Sequence, residues 1–190
     1  MQYPRHFLDT ETTSLDPITG EIIEISIITH RSPGIISEFH TKISPQNIEF
    51  ADPKSLEING YTTEKWLGAP TFSEKAEEIA KILNKGVIIG HNVDFDLRFL
   101  KEELERAGKY RITHKKFDTI ALAFEHLPIP WQSMKSIRIF FGWSRRGEHT
   151  ARKDVLDCVM LFTMLFRCPW HRRLYYRWIW WNNQRKRRKK

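Results

Sequence analysis

Three apolar, β-branched segments follow one another near the start of the chain, and they constrain its fold more than any other feature. They cover residues 6–11, 21–30 and 35–43, and the sequences DPITG and RSPG separate them. Because Asp, Pro and Gly favour tight turns, this spacing predicts consecutive antiparallel strands. The first part of the chain is therefore predicted to form three neighbouring strands of one sheet.

Helical and strand patterns alternate in the rest of the chain. Apolar residues recur at helical spacing within 72–83 and 95–104, and a glycine closes each segment. Short apolar runs at 87–91 and 115–119 are typical of buried strands, and three further segments are predicted as helices, 121–127, 134–141 and 155–166. The pattern predicts an α/β fold with a mixed sheet flanked by helices.

The positive charge of the chain is concentrated at its C-terminal end. The chain has 31 Lys and Arg residues against 23 Asp and Glu, and ten of the basic residues but none of the acidic ones lie in 167–190. Residues 1–166 therefore carry a net charge of −2. This asymmetry predicts a globular domain over 1–168 and a basic, aromatic tail over 169–190 that meets a polyanion.

No apolar stretch late in the chain approaches the roughly 18 residues that cross a bilayer, because the longest uncharged one covers only 158–166. The N-terminus reads MQYPRHFLDTE, which has charges where a secretory signal needs an apolar block. The two cysteines do not form a disulfide framework or a tetrahedral zinc site. We expect a cytoplasmic protein.

Asp9 and Glu11 lie two residues apart at the end of the first predicted strand. Side chains alternate along a strand, so both carboxylates point to the same face and repel each other. A hard cation such as Mg²⁺ or Mn²⁺ between them would relieve that repulsion. A solvated strand end is the other interpretation that this pair alone allows.

Two later segments carry similar chemistry. In GHNVDFDLRFL, residues 90–100, a buried strand ends at His91 and Asn92, and either Asp94 or Asp96 lies near the start of the next helix. Ligand sites of open α/β sheets gather at such strand ends, although either aspartate also fits as a helix cap. In HTARKD, residues 149–154, a loop histidine precedes a carboxylate at a helix start, which suits a general base for water.

Three segments of the chain resemble, in the same order, the three exonuclease motifs of the DEDDh (DnaQ-like) family of 3′-to-5′ exonucleases. They are FLDTETTSLDP, GHNVDFDLRFL and HTARKD. The resemblance runs from about His6 to Phe166 and implies a ribonuclease H-like fold. It also implies hydrolysis of phosphodiester bonds at the 3′ end of a nucleic acid, which would be single-stranded or frayed DNA, or RNA. The reaction would use two divalent metal ions, Mg²⁺ or Mn²⁺.

The resemblance also implies a role for individual residues. Asp9, Glu11, Asp96 and Asp154 would ligate the metal ions, with Asp96 rather than Asp94 as the fourth carboxylate, and His149 would be the general base. The candidate substrate-binding residues are Thr10, Thr12, Leu15, Asn59, His91 and Asn92. Ser14 stands where the family usually has glycine, and Asn59 where it often has histidine.

The tail over 169–190 leaves several partners open. Cationic aromatic segments stack on single-stranded bases, lie on anionic membrane surfaces or dock on a partner protein, here a DNA polymerase or another protein. Alternatively, the aromatic residues cover the domain itself. For the whole chain, the rival to an exonuclease is a catalytically silent module that binds nucleic acid or a polymerase.

Overall fold

The computed structural model describes residues 3–31, 34–108, 110–144, 146–147, 149–166 and 176. The strands are β1 Arg5–Thr12, β2 Ile22–Arg31, β3 Gly34–Lys42, β4 Val87–Gly90 and β5 Lys116–Asp118. The α-helices are α1 Pro53–Asn59, α2 Thr63–Trp66, α3 Phe72–Leu83, α4 Val93–Arg106, α5 Thr119–His126, α6 Met134–Phe141 and α7 Ala151–Leu165. A short 3₁₀ turn at Ile48–Phe50 precedes α1.

Strand β1 lies at the centre of a mixed sheet whose order is β3-β2-β1-β4-β5. It pairs antiparallel with β2 and parallel with β4, and β4 pairs parallel with β5. Because β1, β4 and β5 run in the same direction, their C-terminal ends meet at one edge of the sheet. The polar residues that follow these strands are thereby gathered there.

Side-chain alternation along β1 divides the core into two layers. Phe7 and its cross-strand partners Ile28 and Ile89 pack with α5, α6 and α7 on one face. Leu8 and its partner Ile27 pack with α3 and α4 on the other face. The two layers bury β1 on both sides, which gives the strand that carries Asp9 and Glu11 a rigid position.

Local hydrogen bonds set where the helices begin. Thr71 and Glu74 form a capping box at the start of α3, and Thr150 accepts a hydrogen bond from the Lys153 amide at the start of α7. Asp118 caps α5 in the same way. These caps place Asp154 in the first turn of α7 and fix the N-terminal end of α5 beside β4.

The predicted α/β class and the mixed sheet flanked by helices are confirmed. The predicted helices 72–83 and 134–141 have the observed bounds, whereas α4 begins at Val93 and α7 at Ala151, earlier than the apolar spacing indicates. Their first turns are polar and are set by caps. The short helices α1 and α2 were not predicted, because neither has a full apolar stripe.

The predicted division at residue 168 falls outside the described part of the chain, as does the tail, except for Tyr176. Tyr176 is buried, and its ring lies 5.7 Å from that of Phe141. Among the described residues, no helix has both the length and the apolar character to cross a membrane.

Two leucines provide a test of the packing. Leu83 is fully buried in the layer of α3 and α4, whereas Leu67 is 84% exposed. We expect Leu83→Ala to lower the free energy of unfolding by about 2–5 kcal/mol, because a cavity replaces core contacts. Leu67→Ala is the matched control, with a change within about 0.5 kcal/mol. Urea denaturation of both variants measures this, and equal losses would contradict the described packing.

Candidate metal centre and active site

Three carboxylates converge at the C-terminal end of β1. One ligand oxygen each from Asp9, Glu11 and Asp154 can be chosen so that all lie within 4.8 Å of one another. Asp9 and Glu11 lie on the face of β1 that packs against the layer of α7, and Asp154 comes from the first turn of α7. Sequence positions separated by more than 140 residues thus form one cluster. The spacing of three carboxylate oxygens fits a hard divalent cation.

Burial and mutual repulsion make this cluster electrostatically unfavourable. Burial, followed by repulsion from Asp96 and Asp154, raises the pKa of Asp9 well above its ordinary value. Burial and the charge of Asp154 raise the pKa of Glu11 to about 8. Desolvation penalises each charged form, and each neighbouring negative charge adds to the penalty. A bound cation would offset both effects.

Asp96 approaches the cluster from the opposite layer of the sheet. It is buried in the first turn of α4, and its Oδ1 accepts hydrogen bonds from both the amide and the hydroxyl of Thr10, each 2.8 Å long. Burial raises the pKa of Asp96 to about 7, although the two bonds from Thr10 act in the opposite direction. Asp96 is outside the compact group of three, but its charge raises the pKa of Asp9.

Asp154 differs from the other acids because a cation of the protein contacts it. The Nη2 of Arg138 donates a hydrogen bond to Asp154 Oδ1 at 2.5 Å. Burial raises the pKa of Asp154, whereas the charge and the hydrogen bond of Arg138 lower it. Sequence reasoning missed Arg138. The available signal was a charged residue beside Ile137 on the apolar side of the predicted helix 134–141.

Glu24 is a second residue that sequence reasoning missed. It lies directly opposite Glu11 on β2, is buried, and its charge raises the pKa of both Asp9 and Glu11. The Nε2 of His40 on β3 lies 2.8 Å from Glu24 Oε1. The signal in the sequence was an acid inside the apolar run EIIEISII, but its partner depends on the strand register.

His149 lies just before α7, in agreement with the prediction that it belongs to the loop before the last helix. The side chain is exposed, and the backbone adopts the left-handed conformation, with φ 63°. Burial raises the pKa of Asp154, and the charge of His149 is a smaller effect in the opposite direction. His149 is thus an exposed residue five positions before Asp154 in the chain.

The predicted substrate-binding residues near β1 have different surroundings. Leu15 is 75% exposed on the turn after β1. The buried Thr12 donates its hydroxyl to the carbonyl of Ser14 at 2.7 Å, and Asn59 Nδ2 donates to the Thr12 carbonyl at 2.8 Å. The hydroxyl of Thr10 is engaged with Asp96. The substrate-binding roles of these residues stay predictions.

His91 and Asn92 follow β4 at the same edge of the sheet. The two ring nitrogens of His91 lie 2.9 Å from Thr119 Oγ1 and 2.6 Å from the Gln132 carbonyl, and burial lowers its pKa. Asn92 is exposed and has φ 72°, and its backbone N–H donates a hydrogen bond to the carboxylate of Asp118. These contacts hold the corner between β4 and α4, and they leave the Asn92 side chain accessible.

Comparisons with known proteins agree with this arrangement. The family model described as exonuclease matches residues 6–162. The DNA polymerase III subunit epsilon of Treponema pallidum (strain Nichols) is 32% identical over 160 residues, which cover 83% of this chain and 74% of that protein. The epsilon subunit of Aquifex aeolicus (strain VF5) is 24% identical over 164 residues, which cover 86% of this chain and 80% of that protein.

A solved structure shows the same fold. The zinc-bound complex of E. coli exonuclease I with single-stranded DNA has a TM-score of 0.75 and 19% sequence identity, and the match covers 92% of this chain. This chain spans only 42% of that protein. Together with the family match over most of its length, these similarities show that the chain belongs to the exonuclease family, in its DnaQ-like 3′-to-5′ branch.

Proposed function

We propose that this exonuclease removes nucleotides from the 3′ end of single-stranded or frayed DNA, with RNA as a second substrate class. The observation that carries the proposal is the convergence of the half-buried Asp9, Glu11 and Asp154, whose ligand oxygens lie within 4.8 Å of one another. A catalytically silent module that only binds nucleic acid would gain nothing from this costly arrangement. Cation-dependent catalysis explains why the domain keeps these mutually repelling carboxylates.

Two divalent cations, Mg²⁺ or Mn²⁺, would neutralise the phosphoryl oxygens, stabilise the leaving 3′ oxygen and activate water when bound here. Asp9, Glu11 and Asp154 fit this role by residue type and spacing, and Asp96 is the fourth carboxylate of the proposed site. The hydrogen bonds from Thr10 hold Asp96 in one orientation. This chain thus supplies an oxygen-rich pocket at the rigid end of a central strand.

His149 would act as the general base. A water oxygen attacks the phosphorus atom, the bond from phosphorus to the 3′ oxygen of the preceding nucleotide breaks, and a ring nitrogen of His149 takes the proton of the water. The 3′ oxygen takes a proton from solvent water and leaves as the hydroxyl of the shortened strand, while the phosphate stays on the released nucleotide. The exposed position of His149, five residues before Asp154, supports this role.

The surroundings of β1 suggest how the terminal nucleotide is held. Leu15, with its large exposed apolar side chain, would contact the terminal base, and Thr12 and Asn59 would line the site of its sugar. The relatives are named as DNA polymerase III subunits, so we infer a polymerase as a partner and the cytoplasm as the location. The tail over 169–190 would contribute to binding the polymerase or the nucleic acid.

End-labelled DNA tests both the activity and its polarity. With Mg²⁺, we expect 5′-labelled single-stranded DNA to shorten stepwise and 3′-labelled DNA to release its label as a mononucleotide at once. Asp9→Asn and Asp154→Asn should each lower the rate by more than about 100-fold, because each removes a metal ligand. Glu49→Gln, at an exposed glutamate outside the site, is the control. Full activity of Asp9→Asn would contradict the proposal.

A substitution of His149 distinguishes a general base from a metal ligand. His149→Ala should lower kcat by about 10²- to 10⁴-fold, because proton transfer from water loses its acceptor. The concentration of Mg²⁺ that gives half-maximal rate should stay within about twofold of wild type. Steady-state assays across a Mg²⁺ titration measure both quantities. A parallel loss of Mg²⁺ affinity would instead identify His149 as a ligand.

The raised pKa of Glu11 predicts how the stability of the domain depends on pH. The pKa of Glu11 is about 8 in the folded protein and near its ordinary value of 4.5 in the unfolded chain, so the folded state holds the extra proton between these values. The stability contributed by Glu11 is therefore complete below about pH 4.5 and is lost as the pH rises towards 8. In metal-free buffer, Glu11→Gln should reduce the fall of Tm with rising pH.

Thermal unfolding between pH 5 and 8.5, with chelator and with Mg²⁺, measures this effect. In a chain of this size, each kcal/mol corresponds to about 2–4 °C in Tm. Mg²⁺ should raise the Tm of the wild type more at pH 8 than at pH 5, and it should raise that of Glu11→Gln less. Glu49→Gln should match the wild type, and the same pH slope for Glu11→Gln and wild type would contradict the account.

A further inference from the structure

A buried arginine lies behind the carboxylate cluster. Arg138 belongs to α6 and is 1% exposed. Its Nη2 donates to Asp154 Oδ1 at 2.5 Å, and its Nε donates to Asp157 Oδ2 at 2.6 Å. A guanidinium is rarely removed from water so completely unless carboxylates pair with it. Its position therefore depends on these aspartates, one of which belongs to the proposed cation site.

Asp157 anchors the arginine from the same helix that carries Asp154. The two aspartates are three residues apart on α7, so their side chains lie on neighbouring parts of one helical face. The planar guanidinium can bond to both at once, which a lysine ammonium would do with less defined geometry. Asp157 is itself buried and also accepts a hydrogen bond from the ammonium group of Lys153. Among the described residues, Arg138 and Lys153 pair with Asp154 and Asp157 in this network.

The network constrains Asp154 in particular. With Oδ1 bonded to Arg138, rotation of the carboxylate is restricted, and its other oxygen is left to interact elsewhere. In the structure, the three carboxylates are closely spaced with this bond in place. Hydrogen bonds of this kind commonly orient carboxylates that ligate metal ions.

We propose that Arg138 is a positioning residue of the cation site, which Asp157 holds in place and which orients Asp154 for cation binding without touching the cation or the substrate. The inference rests on the proposed cation site. It assigns a role to two buried residues outside the carboxylate cluster, and it predicts that cation affinity depends on a side chain that cannot be a ligand.

Competition between Arg138 and the cation is the opposite account. A guanidinium that occupies the position of the cation would weaken cation binding, so its removal would strengthen it. The structure favours support over competition, because Arg138 is bonded to Asp157 inside the layer of α6 and α7, whereas Asp154 retains 17% exposure of its side chain. The two accounts therefore predict effects of opposite sign.

Mn²⁺ binding to the full chain, measured by electron paramagnetic resonance, tests the inference without relying on activity. Arg138→Met should weaken Mn²⁺ binding by about 10- to 100-fold, and Asp157→Asn should act in the same direction. Arg152→Met is the matched control. Arg152 lies on α7, the helix of Asp154 and Asp157, and pairs with Glu38 at 2.6 Å, but at an exposed position. Its Mn²⁺ affinity should stay within about twofold of wild type.

Thermal unfolding in chelator shows which variants fold. If Arg138→Met does not fold, Arg138→Lys retains the charge without the two-pronged geometry and should fold with weakened Mn²⁺ binding. Wild-type affinity in a folded Arg138→Met or Arg138→Lys variant would overturn the inference, and tighter binding would establish competition instead. Asp9→Asn should abolish the Mn²⁺ binding of the wild type. If the wild type binds no Mn²⁺, or if Asp9→Asn binds it equally well, the proposed cation site itself fails and this inference fails with it.

Discussion

The repulsion among half-buried carboxylates at the end of β1 is the constraint on which the rest of the structure depends. Asp9, Glu11 and Asp154 are brought together with their pKa values raised, and Glu24 and Asp96 add further negative charge. Such a cluster opposes folding in the absence of protons or a cation. The remainder of the domain must supply enough stability to hold it.

Two apolar layers supply that stability, and they also explain the precision of the site. Strand β1 is paired on both sides and packed on both faces, so its acidic residues cannot relax away from each other. Asp154 and Asp96 come from the first turns of helices in opposite layers. The site is therefore assembled where the two layers and the strand end meet, and the central strand serves both packing and chemistry.

Much of this arrangement was predictable from local sequence patterns. Alternation along a strand places Asp9 and Glu11 on one face, and polar residues before an apolar helix place Asp154 near its start. The contacts that tune the site were not predictable in this way. Glu24 meets Glu11 only through the register of β1 and β2, and Arg138 reaches Asp154 only through the packing of α6 on α7. Both depend on tertiary structure, which spacing along the chain does not encode locally.

Diffraction from crystals grown with Mn²⁺ tests the central claim most directly, because the anomalous signal locates the ion independently of activity. The account predicts an anomalous peak bound by the carboxylates of Asp9, Glu11 and Asp154 at the end of β1. A saturating Mn²⁺ soak that leaves this cluster without a peak, or that places the ion elsewhere in the domain, would contradict it.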